Sequence, residues 1–215
     1  MGERLINDLA AVVPVVIDFE YTTPKGAAYV PIEVAVQTLR VQAGQLVRDR
    51  NWTSLMRPAD LSTVTAFDIG QTGITPQMLA DQAPAAQVMA ELDRLFTGAG
   101  PYVLFAHHAP AEAGLIYALR EHCPNLARID LIDTVRLARN LYLDVHGGHG
   151  LDSLMRFFRI PAPANRHRAM ADVEVTTDLL IRMVTESDWH DLRQLRELAG
   201  YQARAAQPDQ ASLFD

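Results

Sequence analysis

Among 215 residues the sequence has one cysteine, Cys123, and one lysine, Lys25. A lone thiol excludes an internal disulfide and any cysteine-based metal cluster, and it suits a reducing cytoplasm. No apolar run is long enough to cross a bilayer, and Met1-Gly2-Glu3-Arg4-Leu5-Ile6-Asn7-Asp8 puts acid and amide where a signal peptide needs an unbroken apolar segment. Neither an export signal nor a membrane partner is expected, and the location read from the sequence is cytoplasmic. Positive charge is scarce as well. A formal net charge of −7 argues against a protein that coats nucleic acid non-specifically, because such binding rests on neutralising phosphates. It leaves room for a local basic rim, since eight arginines fall between positions 120 and 168. Most read as solvated helix faces, although arginine forks suit phosphate oxygens. A phosphate loop is lacking too, since Gly147-Gly148-His149-Gly150 has no Lys-Ser/Thr and simply turns the chain before a helix.

With 49% hydrophobic and 21% charged residues the chain can bury a full core, read as one domain over 1–200. The stretch 201–215, rich in Ala, Gln, Pro and Asp without periodicity, is expected to be a flexible tail. The domain is organised around 12–20, a β-branched run ending in Asp18-Phe19-Glu20. Bounded by turn residues and too short for a span, it reads as a buried strand. Positions i and i+2 share a strand face, so Asp18 and Glu20 project together, and two such acids repel unless a cation sits between them. Further strands are expected at 29–41 and 45–56, joined as a hairpin at Ala43-Gly44, then at 102–106 and 129–132. Residues 67–76 read as a turn-rich loop in which Thr75 caps and Pro76 opens a short helix. Helices are expected at 85–96, 109–122, 134–143, 151–158, 169–184 and 189–198. The fold class is therefore α/β, a mixed five-stranded sheet of three antiparallel strands followed by parallel ones, flanked by helices.

His167 and Asp172 stand five apart, which on a continuous helix is about 140° at roughly 100° per residue. They converge only if His167 lies on the entering loop and Asp172 on the first helical turn, where the helix dipole favours a carboxylate. Glu112 is placed the same way after the strand that ends at His107-His108, and strand ends feeding helix starts are where α/β sheets collect their sites. Four carboxylates, Asp18, Glu20, Glu112 and Asp172, thus converge with His167. Hard oxygen ligands without cysteine suit Mg²⁺ or Mn²⁺, and two such ions serve phosphodiester hydrolysis with histidine as general base. His107, His108, His146 and His149 lack a ligand spacing for zinc.

Asp18-Phe19-Glu20, Gly73-Ile74-Thr75, His107-x-Ala109-x-x-Glu112, Ile132-Asp133-Thr134 and His167-x-Ala169-x-x-Asp172 resemble, in order, the motifs of the DEDDh (DnaQ-like) 3′–5′ exonucleases, over about residues 14 to 185. The resemblance implies a ribonuclease H-like fold, two divalent ions held by Asp18, Glu20, Glu112 and Asp172, His167 as base, and 5′-nucleotides released from 3′ ends. It also implies that Phe19, Tyr21, Thr22, His107 and Arg168 meet the substrate. Two departures stand out. Glu112 replaces the family's aspartate and is one methylene longer, so it could bind metal directly or crowd the site. Tyr21-Thr22-Thr23-Pro24 replaces the usual Thr-Thr-Gly and alters the seat of the terminal sugar, or else Tyr21 is plain packing.

The expected activity is hydrolysis of single-stranded or frayed DNA. The alternatives are an exoribonuclease, because few residues of unspecific type read the 2′-OH, and an adaptor whose site Glu112 has weakened. The tail ends Gln210-Ala211-Ser212-Leu213-Phe214-Asp215. Gln210, Ser212, Leu213 and Phe214 resemble the peptide by which bacterial polymerases and repair proteins dock on the sliding clamp, which makes the clamp an expected partner.

Overall fold

A strand apolar on both faces belongs in the middle of a sheet, because each face needs a layer over it. A computed structural model describes residues 3–24, 26, 28–98, 100–164 and 166–203. Along the chain come α1 (Glu3–Ala10), β1 (Val13–Thr22), β2 (Val30–Gln42), β3 (Gln45–Leu55), α2 (Ala66–Thr72), α3 (Pro76–Ala80), α4 (Ala85–Arg94), β4 (Tyr102–Ala106), α5 (Ala109–Ala118), β5 (Leu131–Asp133), α6 (Thr134–Leu141), α7 (Leu151–Phe158), α8 (Ala169–Glu186), α9 (Leu192–Ala199) and β6 (Gly200–Tyr201). The sheet order is β3-β2-β1-β4-β5-β6, so β1 lies inside it. β1 runs antiparallel to β2 and parallel to β4, β2 antiparallel to β3, and β5 parallel to β4. The hairpin turns at Ala43 and Gly44, both in the left-handed region at φ 51° and 76°, as a two-residue turn matching strand twist requires.

Alternate residues of β1 face opposite layers. Val15, Ile17 and Phe19 pack against α4 and α5 through Val88, Met89, Leu92, Leu115 and Ile116. Val16 packs with Ala35, Phe105 and Ile132 beneath Leu5, Leu154, Val173, Leu180 and Leu195 of α1, α7, α8 and α9. By the two-residue period, Asp18 and Glu20 continue the Val16 face and emerge under α8.

The mixed α/β architecture is the expected one, with local differences. α1 was not expected; it forms because Leu5, Ile6 and Leu9 share a buried face. Within 67–76, read as loop, α2 forms despite Gly70, because Thr65 and Asp68 make a reciprocal capping box and Gly73 closes the helix at φ 69°. α5 stops at Ala118 rather than 122. α9 starts only after Asp191, whose carboxylate accepts from Gln194 N–H. Trp189 therefore precedes the helix, packed inside with its Nε1 donating to Asn140 Oδ1 at 3.1 Å. A sixth strand, β6, pairs antiparallel with β5, Tyr201 opposite Leu131. A division at 200/201 thus cuts through a strand, and two residues are too few to show alternation in a sequence. Gln210, Ser212, Leu213 and Phe214 lie outside the described residues. Among the described residues no helix is long and apolar enough to cross a membrane.

Candidate active site

β1 carries its acids to the point where the chain leaves the sheet. Asp18 lies across from Ala35 and Glu20 from Glu33, and a bulge after Glu20 shifts the register so that Tyr21 meets Pro31. A bulge at such a place re-aims the side chains around it. Opposite, the chain enters α8 through His167, held left-handed at φ 65°, then Arg168 as N-cap, with Asp172 in the first turn. This is the loop-then-helix entry that the spacing of His167 and Asp172 demands. Carboxylate oxygens of Asp18, Glu20 and Asp172 lie within 4.8 Å of one another. Glu112, 3% exposed in the first turn of α5, stands outside that triad but repels Asp18 more strongly than any other acid does.

The electrostatics are those of acids held too close. Burial, then Glu112, Asp172 and Glu20, push the Asp18 carboxyl well above its usual range, and Arg166 partly offsets them. Burial and the charges of Asp172 and Glu33 push Glu20 up to about 8. Glu112 is also raised to about 8, chiefly by burial and with Asp133 and Glu20 adding to it. Burial raises Asp172 too, against the pull of Arg166. Glu112 Oε2 and Asp172 Oδ1 are buried without a hydrogen-bond partner among the described residues. Buried carboxylate oxygens left unpaired are costly, and a hard divalent cation is the partner that suits them. The donor set therefore fits a hard divalent cation.

The other expected site residues divide. Tyr21 stacks on Tyr29 with ring centroids 4.6 Å apart, and its hydroxyl is held above the usual range by burial and then by Glu112, so it borders the acids. His107 sits inward, Nδ1 2.9 Å from Thr134 Oγ1, and burial pushes it down to about 4 against a backbone hydrogen bond with His149. Phe19, expected at the substrate, is instead 3% exposed in the layer of α4 and α5, because strand neighbours of Asp18 and Glu20 face the other way. Thr22 is fully buried. Arg168 has a partner within the protein: Nη2 donates to Glu33 Oε1 at 2.6 Å and Nε to Oε2 at 3.0 Å, while Ala169 N–H donates to Oε2 at 2.9 Å. Its fork ties α8 to β2. Cys123 is buried and its thiol pushed up to about 12 by burial, which leaves it inert.

Sequence reasoning did not single out Arg166, Glu33 or Asp152. Arg166 donates to Asp172 through Nη1 and to Asp152 Oδ1 through Nε at 3.0 Å. The one available signal for Glu33 is an acid inside an apolar strand, across from Glu20 in the hairpin register.

The model of a family described as exonuclease matches residues 15–180. The chain is 32% identical over 179 residues to a DNA polymerase III PolC-type of Halalkalibacterium halodurans, a match that covers 83% of this chain and 12% of that protein. It is 30% identical over 200 residues to the PolC-type polymerase of Streptococcus thermophilus, of which it spans 13%. Among solved structures it is similar to the nuclease domain of 3′hExo, a DEDDh family member, bound to rAMP, at TM-score 0.73 and 17% identity over 92% of this chain and 100% of that one.

Proposed function

The chain belongs to the exonuclease family, is a nuclease with the ribonuclease H-like fold of that group, and from that premise we propose that it removes nucleotides from the 3′ ends of single-stranded or frayed DNA. The observation that carries this reading is the Asp18, Glu20 and Asp172 triad, whose oxygens converge within 4.8 Å beneath a helix N-terminus. The triad and Glu112 would hold two divalent ions, Mg²⁺ or Mn²⁺, which when bound supply Lewis acidity at the scissile phosphate. His167, half-buried on its left-handed turn, takes the proton of the attacking water. Tyr21 and Tyr29 border the seat of the terminal nucleotide. Arg168, bound to Glu33, holds the turn that carries His167 instead of gripping phosphate. Preference for DNA is supported by the PolC-type relatives, which are DNA polymerases.

The deciding assay incubates the pure protein with 3′- and 5′-labelled DNA and RNA oligonucleotides in Mg²⁺, Mn²⁺ or EDTA. Stepwise shortening from the 3′ end of DNA, lost in EDTA, is expected. Faster shortening of RNA would make the enzyme an exoribonuclease, and inactivity in both metals would make it an adaptor. The C-terminal Gln210, Ser212, Leu213 and Phe214 extend the proposal to a bacterial sliding clamp. A weak peptide on a short linker raises local concentration at primer ends to roughly the millimolar range, which lets an acidic enzyme work without a broad basic surface. Leu213→Ala/Phe214→Ala should leave hydrolysis of short oligonucleotides unchanged and remove the heat of clamp binding in calorimetry. Equal heats for wild type and double mutant would refute the tether.

A further inference from the structure

The acid cluster is self-repelling, and one side chain offsets it from within. Arg166 arrives on the turn ahead of α8. Its Nη1 donates to Asp172, its Nε donates to Asp152 Oδ1 at 3.0 Å, and Nη1 lies 3.4 Å from His167 Nδ1. The Arg166 side chain is 18% exposed and that of Asp172 10%, whereas Asp152, on α7, is 57% exposed at the rim. The guanidinium therefore bridges the inside of the cluster to its edge. It also stands in the field of the other two triad acids, lowering what burial and repulsion raise at Asp18 and Glu20.

We propose that Arg166 is an exchangeable internal cation, a positioning residue that holds the triad together in the metal-free protein and competes with divalent ions for Asp172. The inference rests on reading the triad as the metal cage. Asp172 offers two oxygens in different states: Oδ2 is taken by Arg166, and Oδ1 is buried without a partner among the described residues. An incoming cation can use Oδ1 at once, but it then shares one carboxylate with a fixed positive charge, and at such separations in a shielded site that repulsion is severe. Withdrawal of the guanidinium removes it. Asp152, already bonded to Nε and open to water, keeps hold of the arginine as it withdraws. Arg166 thus lowers the apparent affinity for metal while sparing the metal-free site the full cost of its crowded acids. Because a singly charged ion gains too little to displace a bonded guanidinium, the exchange also favours divalent over monovalent cations.

The test is Mn²⁺ binding to the EDTA-stripped full chain by calorimetry, with thermal melting alongside. Arg166→Gln should bind Mn²⁺ roughly 10-fold tighter or more, since one charge-assisted bond no longer has to be broken. Without metal the variant should melt below wild type, and at saturating Mn²⁺ the difference should close. Equal or weaker binding by the variant, against a wild type that binds Mn²⁺ and shortens DNA, overturns the proposal and leaves the nuclease reading standing. Absence of Mn²⁺ binding in both proteins overturns the metal cage and the exchange together. Should Arg166→Gln fail to fold, wild type decides. The Arg166 Nε–H resonance, assigned with Arg166→Lys, should move as Mg²⁺ saturates the site, and a resonance unmoved through saturation overturns the exchange.

Discussion

Asp18 and Glu112 are asked for opposite things by stability and by chemistry, and single substitutions separate the two. Asp18→Ala should abolish hydrolysis of a labelled oligonucleotide. In the metal-free state the same variant should melt higher than wild type, because a repelling charge has gone. Relief of about 1 kcal/mol corresponds to roughly 2–4 °C in a chain of this size. Full activity in Asp18→Ala would sink the assignment. His167→Ala should lower kcat by roughly 10²–10⁴-fold, the usual worth of a general base, with Mn²⁺ binding retained in calorimetry. The longer acid at Glu112 is best judged by a pair: Glu112→Asp should keep or improve turnover and Glu112→Ala should remove it. Indifference to Glu112→Ala would mean that this acid takes no part.

At the scale of elements, the tie between Arg168 and Glu33 fixes where α8 begins. Glu33 has a side chain only 4% exposed, so Arg168→Ala leaves a buried charge unpaired. A loss of about 3 kcal/mol is expected in urea unfolding. Arg168→Lys should recover little of it, since a point charge cannot replace a two-pronged fork. Recovery by Lys to wild-type stability would show that the tie is a simple ion pair. These contacts mark the limit of what the sequence discloses. β1 and its acids were legible because a period of two dictates which side chains share a face, and the entry of His167 and Asp172 because a helix cannot bring them together otherwise. Arg166 was not, since nothing in its spacing says that a turn aims it at Asp172. α2 was hidden by Gly70, whose cost a capping box offsets, and β6 by its length. Phe19 was misplaced for a simpler reason: lying between two site residues in sequence puts it on the opposite face of a strand.

For the molecule as a whole, the acid cluster should couple folding to pH and to metal. Glu20 and Glu112 rise from an ordinary 4.5 to about 8 on folding. Groups shifted in this direction contribute stability that is complete below about 4.5 and lost as pH climbs through about 8, because the unfolded chain then holds fewer protons than the folded one. The EDTA-treated protein should therefore melt progressively lower between pH 5 and pH 8. Saturating Mn²⁺ should flatten that slope, and its stabilising effect should be larger at pH 8 than at pH 5. A metal-free melting temperature that rises over this interval would contradict the clustering of acids.

The bond from Arg168 to Glu33 joins residues 135 positions apart in sequence, and the triad draws its acids from similarly distant parts of the chain. Loop closure of this kind comes late, after local hairpins have formed. On a ribosome, β1, β2 and β3 can pair while α8 is still unmade, so the nascent protein carries Asp18 and Glu20 without their partner acid on α8. The acid cluster is in this way incomplete until α8 has been made and has docked on the sheet.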